Sequence, residues 1–328
     1  MSPTAAPALT VVVPVLDGAA TLGRCLAALV AALPAGGEIV VVDDGSTDES
    51  RVIAGRFPVT VLGDGRRRGT SGARNLGWRY GRGELVVFVD ADVEVRSDAL
   101  IRLRDALLAD PALAGINGAL TLVPGTPGLI SDFVNLSIHY QHLRHRRHHC
   151  AAFTSIFMVR RAALEAMGGW DERLHSRYAD DVATRFLLPD ARIGMDAGAQ
   201  GTHHKQVKLA GMMKHRFKVG YFFVRSCADH RAEVLRHPAR AVLDLRYPLN
   251  TVAAALSLGC AALGPLAGPA LLAPLALQAT ANARFVAFTA RTRGPLRALV
   301  AGPLSVAEGY AYLGGMAAGA LSVLGSRR

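Results

Sequence analysis

Val40-Val41-Val42-Asp43-Asp44-Gly45-Ser46-Thr47-Asp48 is an apolar run that ends in paired carboxylates and a tight turn. Such a run, without polar alternation, is the pattern of a strand buried on both faces, and a parallel sheet covered by helices is the usual way to bury one. Working outward, Leu9 to Val13, Val59 to Leu62 and Leu85 to Val89 repeat the pattern, and helical patterns separate them as far as about Ala119. Between the first run and Glu38 to Val42, residues Leu22, Cys25, Leu26, Leu29, Val30 and Leu33 recur at helical spacing and predict one buried stripe. The Asp44 to Asp48 turn and Ser97-Asp98 supply N-cap candidates for the helices that follow them. The predicted class is α/β, a mostly parallel sheet with flanking helices and with polar loops at the carboxyl ends of its strands.

With 328 residues, 51% of them hydrophobic, the chain has enough apolar surface for a sizeable core. Its net charge of +11 favours anionic partners: nucleotide diphosphates, anionic lipid headgroups or nucleic acid. Cys25, Cys150, Cys227 and Cys260 have no CxxC or metal-ligand spacing and are expected to be separate thiols in a reducing compartment. Met1 to Ala8 lacks the basic stretch and apolar core of a signal peptide, so the domain after it is expected in the cytoplasm.

The stretch from Gly128 to Arg246 is less regular and strongly basic, and Tyr247 to Ala283 then carries no charged residue. That length holds two tightly turned membrane spans, with Gly264-Pro265 to Gly268-Pro269 as the turn. Arg240 and Arg246 precede it and Arg284, Arg291, Arg293 and Arg297 follow it, so both ends of the hairpin are expected on the cytoplasmic side of the cell inner membrane. A third apolar stretch, Ala298 to Leu324 with Glu308 inside it, reads as an interfacial or re-entrant helix or as a further span. The expected domains are therefore 1–246, catalytic, with a nucleotide-binding half at 9–125 and an acceptor-binding half at 126–246, and 247–328, membrane-associated.

The run of His139, His142, His145, His148 and His149 with Arg144, Arg146 and Arg147 reads as a cationic face on anionic phospholipid rather than as a zinc site. Lys214-His215-Arg216-Phe217-Lys218 with Tyr221, Phe222 and Phe223 reads as an interfacial helix. The same mixture suits nucleic acid, but the adjoining apolar segment makes lipid the simpler partner, and no nucleic acid is expected.

Carboxylates such as Asp43 and Asp44 at a strand end accept hydrogen bonds from a base imide and from ribose hydroxyls, which suits a nucleoside site; the plainer reading is that they cap the next helix. Leu85-Val86-Val87-Phe88-Val89-Asp90-Ala91-Asp92 is a second apolar run into acids, now at alternate positions, which an extended chain points the same way. Acids of this kind hold Mg²⁺ or Mn²⁺ through one or two contacts and leave the remaining positions to water and phosphate oxygens. A DxD by itself is also produced by surface turns; its place after a buried strand is what strengthens it.

Taken together, Thr10-Val11-Val12-Val13-Pro14, Asp43 to Asp48, Gly72-Ala73-Arg74-Asn75-Leu76-Gly77, Asp90-Ala91-Asp92, Arg160-Arg161, Gly168-Gly169-Trp170-Asp171-Glu172 and Asp180-Asp181 resemble the GT-A fold glycosyltransferases of family 2. The likeness spans about Leu9 to Leu188, and the basic segment and apolar tail resemble membrane-attached members. It implies a metal-assisted, inverting transfer from a UDP- or GDP-sugar to a lipid-linked or membrane-proximal acceptor.

By the same resemblance, Pro14, Asp44 and Asp43 meet base and ribose, Arg74 lies beside the nucleotide, Asp90 contacts ribose or metal, and Asp92 is the principal metal ligand. His203 or His204 stands where such enzymes often reach the diphosphate or metal. Asp181 aligns with the usual base and Asp180 replaces the usual Glu, which leaves both acids as candidates. Trp170 is a candidate apolar wall under the acceptor, with core packing as the plainer reading.

Leu16-Asp17 departs from the common Tyr-Asn, and Gly63 to Arg68 does not clearly reproduce the glycine-rich loop of polyprenyl phosphate mannose synthases. The Gln-x-x-Arg-Trp motif of processive polymerases is absent. The competing readings are a nucleotidylyltransferase, whose glycine-rich phosphate loop and lysine are missing, and a catalytically degenerate membrane scaffold or binding protein.

Overall fold

A computed structural model describes residues 9–144, 152–172, 191–236, 246–263 and 268–325. The chain divides into two compact units, one of residues 1–127 with 142–206, the other of 128–141 with 207–328. The division after Gln206 differs from the expected boundary at Arg246, because the basic segment after Gln206 packs among the apolar helices.

In the first unit, β1 (Leu9–Val15), α1 (Ala19–Ala32), β2 (Glu38–Asp43), α2 (Ser50–Ala54), β3 (Thr60–Leu62), α3 (Gly69–Tyr80) and β4 (Leu85–Val89) build βα units. They are followed by β5 (Val93–Val95), α4 (Ala99–Ala109) and β6 (Leu113–Leu120). After α5 (Leu129–Arg144), most of which belongs to the second unit, come β7 (Ile156–Arg160), α6 (Arg161–Met167) and β8 (Arg192–His203). The eight strands form one sheet in the order β3-β2-β1-β4-β7-β6-β8-β5. β1 pairs in parallel with both β2 and β4, and β2 with β3, so this half of the sheet is parallel as expected. β7 runs antiparallel between β4 and β6, and β5 antiparallel to β8.

The apolar runs are buried as their lack of alternation requires: Val11, Val12, Val40, Val41, Val86, Val87 and Phe88 are all fully enclosed. In α1, Leu22, Cys25, Leu26 and Leu29 face the core, while Val30 and Leu33 remain partly exposed. Asp98 stands at the N-cap of α4 but makes no capping hydrogen bond; its carboxylate lies 3.5 Å from Arg96 instead. α3 approaches β1 so closely that a Cβ on Gly77 would fall onto Val12. Since β1 lies between β2 and β4, the chain winds away from it on both sides, and the crevice beyond its carboxyl end is where folds of this kind bind ligands.

The second unit holds α7 (Leu209–Asp229), α8 (Arg231–Arg236), α9 (Arg246–Ala262), α10 (Leu272–Arg293, entered through a 3-10 turn at Pro269–Leu271) and α11 (Pro295–Gly325). Among the described residues one helix, Pro269–Arg293, is long and apolar enough to cross a membrane. Its apolar stretch runs past Ala283 and takes in Arg284 and Arg291, whereas α9, with 17 residues, rises about 26 Å against a hydrocarbon core of about 30 Å. The third apolar stretch is one continuous 31-residue helix.

α7 lies along α11, and the two backbones meet at glycines. A Cβ on Gly315 would strike the Phe217 carbonyl, and one on Gly220 the Tyr312 carbonyl. Arg216 bonds the buried Glu308, and the amides of Asn250 and Asn282 bond each other at 3.1 and 2.8 Å. Gly315→Ala is therefore expected to destabilise the protein in detergent by about 1–3 kcal/mol, the usual cost of overpacking. Gly314→Ala, where the added methyl meets only the Phe217 ring at 3.6 Å, is the control and is expected to be neutral or stabilising in a thermal melt.

The expected cationic histidine face is not found where the run is described. His139 and His142 are buried at 8% and 1% exposure; the His142 ring packs on Phe153, and its Nδ1 accepts the Leu120 N–H at 3.3 Å. Their rings occupy buried positions at helical spacing. His145, His148, His149, Arg146 and Arg147 lie outside the described residues.

Candidate functional site

The carboxyl ends of β1, β2 and β4 stand side by side, and the loops leaving them carry the acids singled out above. Asp44 follows β2, and its N–H donates to the Val15 carbonyl at 2.8 Å, which fastens the turn to β1. Its carboxylate accepts the Arg68 N–H at 2.5 Å through Oδ1, and the residue is 6% exposed. Gly45 makes the turn with a φ of +80°, and a Cβ there would come 2.9 Å from the Gly65 carbonyl, so glycine is required twice over.

Asp43 does not cap α2 through a side-chain bond; its Oδ1 accepts the Ser46 N–H at 3.0 Å and its Oδ2 lies 3.7 Å from Arg51. Pro14 is the penultimate residue of β1, beside Val42 of β2.

Asp17 was noted in the sequence only as a departure, yet it ties this loop cluster together. Its backbone is left-handed (φ +50°), its Oδ1 accepts the Thr47 N–H at 2.8 Å, and its Oδ2 lies 3.5 Å from Arg67. In the neighbouring loop Arg68 clamps Asp64 with two bonds of 2.7 Å, and that hydrogen-bonded guanidinium holds the Asp64 carboxyl well below the usual carboxylate range. The Gly63 to Gly69 loop is thus closed on itself by the Arg68–Asp64 pair and tied to Asp44 through the Arg68 N–H.

Asp90 and Asp92 do not share the extended geometry expected of them. The chain turns between β4 and β5, closed by the Val93 N–H on the Asp90 carbonyl at 3.0 Å, and the two acids have different partners. Asp90 Oδ1 accepts from Arg74 at 3.3 Å. Asp92 Oδ1 lies 3.4 Å from His203 Nε2, and its Oδ2 3.9 Å from Lys205 Nζ.

The two candidate histidines separate. His203 faces Asp92, whereas His204 turns its Nε2 onto Glu94 Oε2 at 2.7 Å and presses its Nδ1 side against Gly125. The His204 Nε2 is thus engaged by Glu94, and of the two histidines His203 is the one beside Asp92.

Arg74, buried at 1% exposure, bonds Thr154 Oγ1 at 2.7 Å and lies 5.9 Å over the Trp170 ring. Trp170 is 2% exposed and packs edge-on against Phe88 at 5.4 Å, so it is a core residue beneath Arg74 and not an exposed wall for an acceptor. Asn75 holds it there. Its Oδ1 accepts the Trp170 N–H at 2.8 Å and the Trp78 Nε1–H at 3.0 Å, and its Nδ2 donates to the Trp170 carbonyl and to Glu172. Asp180 and Asp181, the candidate bases, lie outside the described residues.

Beneath the DxD turn, Cys25 donates weakly to the Asp90 carbonyl at 3.6 Å. Burial pushes its thiol far up, and the charges of Asp92 and Asp90 add to the shift. Cys25 is accordingly expected to resist iodoacetamide at pH 8 in the folded protein and to react only on unfolding, which mass spectrometry of the peptide reads directly.

Among the described residues no group of three or more His, Cys, Asp and Glu gathers as a complete metal site. A carboxylate beside an imidazole nevertheless fits a cation that takes its remaining ligands from phosphate oxygens and water.

Residues 10–167 match the family described as glycosyl transferase family 2. Pre-mycofactocin glycosyltransferase of Mycobacterium tuberculosis is 24% identical over 210 residues, covering 61% of this chain and 43% of its own length. Succinoglycan biosynthesis protein ExoO of Rhizobium meliloti is 35% identical over 100 residues, 30% of this chain and 29% of its own. The chain thus spans less than half the length of these curated relatives. A mannosyltransferase from Pyrobaculum calidifontis, solved with GDP-mannose and Mn²⁺, superposes with a TM-score of 0.59 at 24% identity over 90% of this chain and 87% of that one. At that identity the likeness is one of fold, and the fold is GT-A.

Proposed function

We propose that this chain, a family 2 glycosyltransferase by the domain it carries over residues 10–167, transfers a sugar with inversion from a UDP- or GDP-sugar to a lipid-linked or membrane-proximal acceptor. The observation that carries the reading is the Asp92 carboxylate 3.4 Å from His203, in the turn that leaves β4, with Asp44 in the turn that leaves β2, two strands from β4 in the sheet. Neighbouring strands lie about 4.8 Å apart, so the carboxyl ends of β2 and β4, which carry these two turns, are about 10 Å apart, the scale of a nucleoside diphosphate.

In this reading Asp44 receives the base, its Oδ1 already fixed by the Arg68 N–H and its Oδ2 left to accept from an imide. Asp43 and Pro14 border the nucleoside. Arg74 orients Asp90 toward ribose or metal, and Trp170 supports Arg74 from below. Asp92 and His203 hold Mg²⁺ or Mn²⁺, with His204 outside the ligand set. When bound, the cation neutralises charge on the departing diphosphate. Asp181, or Asp180 beside it, takes the acceptor hydroxyl proton from the opposite face of the sugar.

The apolar helix Pro269–Arg293 supports a membrane setting, with anionic phospholipid as the surface partner, the catalytic unit on the cytoplasmic side of the inner membrane, and no nucleic acid. The expected division into a catalytic part ending near Arg246 and a membrane part beyond it is carried forward with its boundary moved to Gln206.

The experiment is a thermal-shift panel of UDP- and GDP-sugars on the purified protein with Mn²⁺ and with EDTA. A donor that binds the folded state raises the midpoint. One donor doing so only with the metal, and releasing its nucleoside diphosphate on incubation with membrane lipid extract, is the expected result. A shift with no release under any acceptor condition favours the binding-protein reading.

A further inference from the structure

We infer that the Glu94–His204 pair is a positioning device that sets the imidazole of His203 against Asp92. The inference rests on the reading of Asp92 and His203 as cation ligands and adds residues to it.

β5 pairs antiparallel with the end of β8 in the register Val93 to His203, Glu94 to Thr202 and Val95 to Gly201. One residue beyond that ladder His204 is fastened from three sides. Its N–H donates to the Asp92 carbonyl at 2.8 Å, so its backbone grips the same residue whose side chain faces His203. Its Nε2 meets Glu94 Oε2 at 2.7 Å, with Arg24 3.9 Å from that same oxygen on the far side. Its other ring edge rests on Gly125, where any Cβ would fall onto the imidazole, and the Gly125 N–H donates to the His203 carbonyl at 2.9 Å.

Neighbouring residues of an extended chain point to opposite sides. With the His204 ring on Glu94, the His203 ring therefore lies on the other side, where Asp92 Oδ1 is 3.4 Å from its Nε2. The β5–β8 ladder sets the side from which each histidine leaves, and the anchor holds the end of β8 in place, so that without it the His203 ring loses its fixed distance from Asp92. Groups hydrogen-bonded directly to a metal ligand typically change metal affinity by about 10- to 100-fold when removed, and a group acting through the neighbouring residue is expected at the lower end of that range. Glu94 and Arg24 are not placed in the nucleotide or acceptor contacts, so their effect should be confined to the cation.

The test is a Mn²⁺ titration followed by the electron paramagnetic resonance of free Mn²⁺, in the presence of UDP and separately of GDP, on the full chain. Nucleotide affinity in EDTA and the thermal midpoint are measured alongside. Glu94→Ala is expected to weaken Mn²⁺ binding about 10-fold while nucleotide affinity in EDTA stays as in the wild type. Glu94→Gln, which keeps an acceptor for the His204 N–H, is expected to recover most of the loss. Arg24→Met, which leaves the Glu94–His204 bond in place, gives a smaller loss and serves if the alanine variant fails to fold.

Equal Mn²⁺ affinity in wild type, Glu94→Ala and Glu94→Gln overturns the positioning role. So does a loss that glutamine does not reduce, or an equal fall in nucleotide affinity in EDTA. Asp92→Ala binding Mn²⁺ as the wild type does is a different outcome, which overturns the cation site itself.

Discussion

Asp92→Ala is expected to lower metal-dependent sugar transfer by about 100- to 1,000-fold, the range seen when one group stabilising charge in a transition state is removed. Asp92 is the one DxD acid with an imidazole and an ammonium group close by, at 3.4 and 3.9 Å, while Asp90 is engaged by Arg74. In the proposed site its loss would leave His203 as the main hold on the cation, and a site of two protein contacts that loses one would lose occupancy at working concentrations. The folded state should tolerate the change, because removing the carboxylate leaves β4, β5 and the Val93 turn bond intact. Initial rates of nucleotide release across Mn²⁺ concentrations check this. A variant with wild-type rate and wild-type Mn²⁺ dependence would mean that the cation sits elsewhere.

The largest expected effect on stability is at Trp170. An enclosed aromatic cut back to alanine usually costs about 3–5 kcal/mol, from lost transfer energy and the cavity left behind. Here the ring also underlies the Arg74 guanidinium and contacts Phe88 and Phe157 edge-on, so Arg74 would lose the surface it rests on. Trp170→Ala is accordingly expected to lose most of the stability of the first unit in denaturant unfolding, and Trp170→Phe to lose about half as much. A cost under about 1 kcal/mol for the alanine variant would show that the ring is not part of the core.

Much of the parallel half of the sheet was legible because its strands announce themselves locally. Leu85–Val89 is bounded as read, and Glu38–Asp43 and Leu9–Val15 extend only one and two residues further than their apolar runs suggested. The acids at their ends follow from the same local pattern. What was not legible depends on partners distant in sequence.

β8, from Arg192 to His203, carries few signs of a strand, since Gly194, Gly198 and Gly201 interrupt it; its place comes from pairing with β6 and β5. The roles of His203 and His204 were indistinguishable as neighbours in sequence and separate only when β5 brings Glu94 to one of them. Trp170 could be a wall or a core residue until Asn75, some 95 positions earlier, is seen to bond both its N–H and its carbonyl. The packing of the basic helix α7 along α11 was not legible from its cations, because the glycines of α11 that receive it lie far along the chain.

Crystals grown with Mn²⁺ and either UDP or GDP, measured at the manganese absorption edge, locate the cation and the nucleotide together. One anomalous peak is expected, bound to Asp92 and His203, with the diphosphate on the same ion and the base against Asp44. A peak bound by neither residue, or a nucleotide that touches Asp44 without sharing the ion held by Asp92, would contradict the proposed site.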